Sequence, residues 1–183
     1  MRVYIPATLA MLQQLVSEGS LWPVNGTAFA VTPTLREAYA EGDDDELAEV
    51  ALREAALASL RLLADDAGGA FETEVTEATE ATVAATKSLP PRRAVLTADV
   101  EDVKHRPDLD DAVVRVGAPV AMEQVIAAYV DNAAAEPAVM KAVEVIDAAD
   151  LGDEDAELVV GDALDHDLAW YANQELPFLL ELL

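Results

Sequence analysis

The sequence predicts an α+β chain: a two-layer sandwich whose sheet of about five strands carries helices on one face, ferredoxin-like in spirit. Three observations carry this expectation. Short β-branched or aromatic runs alternate with amphipathic helical stretches along the 183 residues. The hydrophobic fraction is 52% but aromatics supply only 5%, so the core must be aliphatic and alanine-rich, with close helix contacts. The strand-helix opening also recurs. "RVYIPATLAMLQQLV" lies over "VRVGAPVAMEQVIA", and "AFAVTPTL" at 28–35 over "AWYANQEL" at 169–176. Half-repeats of β-α-β-α over 1–66 and 111–183, inside one domain of 1–183, are the expected arrangement.

The elements follow in order. "RVYI" reads as a strand with Val3 and Ile5 on one face, stopped by Pro6. Thr8 caps a helix through Leu9, Leu12 and Val16, with Gly19 at its end. Asn25-Gly26 turns into a strand carrying Phe29 and Val31; Thr32-Pro33 then supplies an N-cap and a first-turn proline for a helix through Leu35 and Tyr39. "DDDEL" at 43–47 opens a long helix to about Ala64, closed by Gly68-Gly69. Its acids suit the helix dipole and supply a cap, a plainer role than metal binding. Residues 70–91, rich in Thr, Glu and Ala, read as a surface insertion ending at Pro90-Pro91.

Strands at 92–100 and 112–117 are expected to pair as a hairpin across the "EDVKHRPDLDD" turn. Met122, Val125, Ile126 and Tyr129 fall at helical spacing, and Pro137 starts a further helix with Val139, Ala142, Val143 and Ile146 on one side. The stretch 153–165 fits a strand or a helix. "LAWYA" reads as a strand placing Trp170 in the core where Phe29 stands in the first half, with Leu176 answering Leu35. "QELPFLLELL" reads as a terminal helix.

Charge narrows the function classes. Thirty-six acids against 11 bases give a net charge of −25, which opposes direct nucleic-acid binding and permits basic partners. With no cysteine, disulfides, thiol catalysis and Cys-ligated zinc are excluded. The N-terminus lacks the pattern of a signal peptide and no apolar run is long enough for a membrane span, so a cytoplasmic protein is expected.

No constellation specifies a reaction. G-x-S-x-G, G-x-x-x-x-G-K and G-x-G-x-x-G are all absent. Asp162, Asp165, His166 and Asp167 offer oxygen and nitrogen ligands, but adjacent residues on an extended segment point opposite ways, and His105 sits in a Lys-His-Arg turn that repels cations. His166 reads better as a cap on the following strand. Ser59, inside the apolar rows of the long helix, reads as a back-bonded hydroxyl. Neither a cofactor nor a metal site is expected. The polar candidates for binding are Tyr4, Arg36, His166 and Tyr171, with Tyr39 and Arg115 beside them; arginine in so acidic a chain commonly pairs with a neighbouring carboxylate, and otherwise forms an anion clamp.

"MRVYIPAT", "GTAFAVTPTLREAY", "ALREAALASLRLLA" and "LAWYANQEL" together resemble a family of uncharacterised proteins of high-GC actinobacteria. The likeness covers most of the chain outside 70–91. It implies a bacterial cytoplasmic setting, and it carries over neither an activity nor catalytic residues. The expectation is therefore a non-enzymatic protein-binding or regulatory module, a homodimer among the options. Its rivals are an acidic decoy imitating nucleic acid towards a basic partner, which needs carboxylates aligned on one face, and a small-molecule enzyme, which needs a pocket collecting Tyr4, Arg36 or His166.

Overall fold

Pleating of the first strand sets the two faces of the molecule. β1 (Arg2–Ala7) sends Val3, Ile5 and Ala7 to one face and Tyr4 to the other, the period-two alternation of a strand. In the computed structural model, which describes residues 1–73 and 89–182, β1 is central in a seven-stranded sheet. Its other members are β3 (Thr27–Phe29), β4 (Ala94–Asp99), β5 (Val103–His105), β6 (Val113–Val116), β8 (Val125–Val130) and β9 (Ala169–Ala172). The order is β5-β6-β3-β1-β4-β8-β9, with every pairing antiparallel. Two short strands, β2 (Ser20–Leu21) and β7 (Val120–Ala121), pair as a separate ribbon.

Helix starts follow local capping chemistry. α1 (Leu9–Glu18) begins where the Thr8 hydroxyl accepts from the Met11 N–H at 3.3 Å, and it ends on Gly19 at φ 82°, a left-handed cap that suits glycine. Thr32 caps α2 (Pro33–Ala38) in the same way. α3 (Asp44–Thr73) opens with a reciprocal capping box: the Glu46 N–H donates to Asp43 and the Asp43 N–H to Glu46. The 43–47 acids thus start a helix. α4 (Glu136–Asp150), α5 (Glu154–Leu164, capped by Asp153) and α6 (Leu176–Glu181) complete the set.

Helices cover both faces. Val3, Ile5, Leu96 and Val114 pack with Leu12 and Leu15 of α1 and Leu179 of α6. On the other face, Tyr4, Phe29 and Val95 meet Leu35 of α2 and Leu47, Ala51 and Ala55 of α3. Alanines on α3 allow its backbone to approach the sheet closely, as expected of a core short of aromatics. α4 and α5 form a hairpin whose Val139, Ile146 and Val160 pack around Leu60 of α3. Ser59 is fully buried: its hydroxyl donates to the Ala7 carbonyl at 2.7 Å and accepts from the Ala94 N–H at 3.0 Å. It ties α3 to the ends of β1 and β4 and is not back-bonded within its helix.

Several expectations are corrected. Among the described residues the sheet has seven strands, and helices lie on both its faces. β4 and β6 do not form a hairpin: β4 lies between β1 and β8, while β6 pairs with β3 and with β5, which the sequence presented as a turn. Met122–Gln124 is a single 3₁₀ turn, and the expected helix after it is strand β8. The apolar run "VIAAYV" is an interior strand next to the edge, four of its six residues buried, and its residues also satisfy helical spacing. β1 runs through Pro6, because β3 pairs with it only at Tyr4 and leaves one side open beyond. α3 continues past Gly68-Gly69 to Thr73, so the 70–91 stretch begins inside a helix; residues 74–88 lie outside the described residues. The 153–165 stretch is helical.

The two halves fold differently where the first repeat was aligned. Met11 is on α1, whereas Met122 is in the turn between β7 and β8. At the second alignment, β3 leads to α2 and β9 leads to α6, and Leu35 and Leu176 are both buried. Phe29 is 7% exposed but Trp170 is 57% exposed, so the core role expected for Trp170 does not hold. Among the described residues β9 is the edge of the sheet, and no described strand lies beyond it.

Candidate functional site

Two residues at the end of the β4–β8 ladder organise this side of the molecule. Ala94 pairs with Val130, and the next residues outward are Arg93 and Asp131. Both are buried, at 2% and 0% exposure. Arg93 Nε donates to Asp131 Oδ2 at 2.9 Å and Nη2 to Oδ1 at 2.8 Å; the Arg93 backbone N–H adds a third bond to Oδ2. This satisfies both charges by the planar fork geometry that only arginine supplies. Arg93 Nη2 also donates to the His166 carbonyl at 2.8 Å, fastening the α5–β9 connection to the sheet. Beside it, Arg92 pairs with Glu136 at 2.8 Å at the start of α4.

Above this pair a cleft of about 330 Å³ opens between α3, β8 and the α5–β9 connection. Leu52, Ala56 and Leu57 of α3 face Leu164 and Leu168 across it, and Tyr129 and Arg93 close the sheet side. Charge enters through Glu49, Arg53 and Glu54 from the helix and through His166 and Asp167 from the connection. Arg53 is held by Glu49 at 2.7 Å, one helical turn away. Among the described residues Glu54 makes no ion pair. Burial pushes its carboxyl above the ordinary range, the charge of Asp110 adds to this, and Arg61 opposes it. Apolar walls beside several charged groups, one of them an acid whose pKa burial raises, make the cleft a candidate ligand site.

The residues singled out from sequence do not converge here. Only His166 lines the cleft, half-buried, and its backbone carbonyl is what the core holds. Tyr4 is buried under α3 on β1, its hydroxyl held above its ordinary pKa chiefly by desolvation. Arg36 is exposed on α2 and pairs with Asp44, the neighbouring-carboxylate role expected of it. Tyr171 packs on the opposite face, towards the α1 core. Tyr39 is exposed, and Arg115 lies on β6 across from Thr27 and Lys104.

Sequence reasoning missed Arg93, Asp131, Tyr129 and Glu54. A charged residue abutting each end of a buried apolar run, as Arg93 precedes "AVLTA" and Asp131 follows "VIAAYV", was the available signal. Trp170 completes the picture from outside. It stands directly across from Tyr129 in the β8–β9 register, so both side chains share the cleft face of the sheet.

Among the described residues there is no cluster of three or more metal-ligating side chains, and no described helix is long and apolar enough to cross a membrane. No curated protein and no solved structure matches the chain. A family model does, over residues 1–180: this chain belongs to a family of unknown function (DUF6912).

Proposed function

We propose that the protein is a non-enzymatic binding module, and that a protein partner docks along β9 and over the mouth of the cleft. The observation that carries this is Trp170, 57% exposed on the edge strand. A large aromatic left in water on a folded surface costs solubility and returns nothing to the core; aromatic anchors of this kind are what interfaces bury at their centres. The edge of β9 adds main-chain donors and acceptors that an extended segment can pair with. Leu164, 42% exposed, widens the apolar rim. A second copy is a poor occupant, since two chains of net charge −25 repel.

The test compares three baits: the native protein, Trp170→Ala, and Trp22→Ala, which removes the other exposed tryptophan. A partner retained by the native and Trp22→Ala baits and lost by Trp170→Ala, with the unfolding midpoints unchanged, is the expected result. Retention of the same partner by Trp170→Ala overturns the reading.

A further inference from the structure

The balance of charge inside the cleft says what the partner brings to it. Both arginines that line it are already matched, Arg53 by Glu49 and Arg93 by both oxygens of Asp131. Glu54 and Asp167 remain, without an ion-pair partner among the described residues. An anionic group entering would meet two uncompensated carboxylates and a guanidinium whose charge is spent. A cation meets two carboxylates, the aromatic side chain of Tyr129 and apolar walls at Leu52, Leu57 and Leu168.

We propose that the cleft seats one basic side chain, an arginine or lysine presented by the docking partner. The proposal rests on the docking reading above and adds the chemistry recognised. Methylene stems of arginine and lysine suit apolar walls while the head reaches a carboxylate, and an aromatic face adds cation–π attraction. The volume, about 330 Å³, lies at the small end of ligand pockets; it admits one side chain and no folded element. A net charge of −25 concentrates basic partners around the whole molecule and raises their encounter rate. Glu54 sits in the cleft as a half-buried acid whose charged form burial disfavours, the deficit that an arriving cation relieves.

The probe is the capped tripeptide acetyl-Gly-Arg-Gly-amide, titrated to millimolar concentration. Binding is read from Trp170 fluorescence in a Trp22→Phe background. The expected result is saturable binding that weakens about tenfold or more when citrulline replaces arginine. The same loss is expected in the double variant Glu54→Gln, Asp167→Asn, whose unfolding midpoint confirms its fold. Agmatine, a free cation without a peptide backbone, should bind more weakly than the peptide. The proposal is overturned by no saturable binding, by equal affinity for the citrulline peptide, or by an unaffected double variant. Agmatine binding as tightly as the peptide also overturns it, and makes the cleft a seat for free organic cations.

The two readings fail separately. Partner retention lost in Trp170→Ala but intact in the double variant ends the cation seat and leaves the docking face. Retention intact in Trp170→Ala ends the docking reading itself.

Discussion

The two faces of the sheet are built from different materials. Towards α1 and α6 the core is aliphatic, with Val3, Ile5, Leu96 and Val114 against leucines, and the buried Thr8 at its border caps α1. Towards α3 the sheet buries Arg93, Asp131, Ser59 and Thr97. The first three are tied by hydrogen bonds to particular partners, while among the described residues the Thr97 hydroxyl has none. An aliphatic face is stable through area and tolerates repacking. A face that buries paired charges specifies one geometry, at a desolvation cost that apolar residues would not incur. What the polar set holds in place here is the α5–β9 connection, and with it the wall of the cleft and the edge strand carrying Trp170. The polar, specifying side is the one on which the docking face is proposed.

Breaking the buried ion pair should have the largest effect. Asp131→Ala strands a guanidinium in the core and should lose about 3–5 kcal/mol in denaturant unfolding. Arg93→Met combined with Asp131→Leu should recover much of that loss and still loosen the His166 connection. Equal losses for the single and double changes would show that packing, and not charge, governs the site. Next in size, Ser59→Ala leaves the Ala7 carbonyl and the Ala94 N–H without their partner, a loss of about 1–3 kcal/mol. An unchanged midpoint would place water there in the hydroxyl's stead.

Acid sharpens the comparison further. The raised pKa of Glu54 means the folded chain binds that proton more tightly than the unfolded chain. Its contribution to stability is fully present below the ordinary glutamate value of about 4.3, and it is lost as pH rises through the raised value. Glu54→Gln should therefore be more stable than the native protein at neutral pH, and the advantage should vanish in acid. A Glu54→Gln protein less stable at neutral pH would mean that the carboxylate is compensated in the fold.

What was legible in the sequence was local. The alternation in β1, the Thr8, Thr32 and Asp43 caps and the long run of α3 depend on residues within a turn of one another. β8 was not legible, because its six residues include no charged or small polar position to mark a period of two, and four of them are buried. The ion pair joins residues 38 apart in sequence, a distance over which no spacing rule applies. Trp170 was misread because its strand matches that of Phe29 in local pattern. Only topology shows that, among the described residues, β9 is an edge strand that leaves this ring 57% exposed.

The smallest expected effect on stability bears on the central claim. If Trp170 is an anchor held ready on the surface, removing it costs the fold almost nothing. Denaturant unfolding of Trp170→Ala should match the native protein to within about 0.5 kcal/mol, as for other surface substitutions. A loss of about 3–5 kcal/mol, the signature of a tryptophan taken from a core, would contradict the account and return this segment to a structural role.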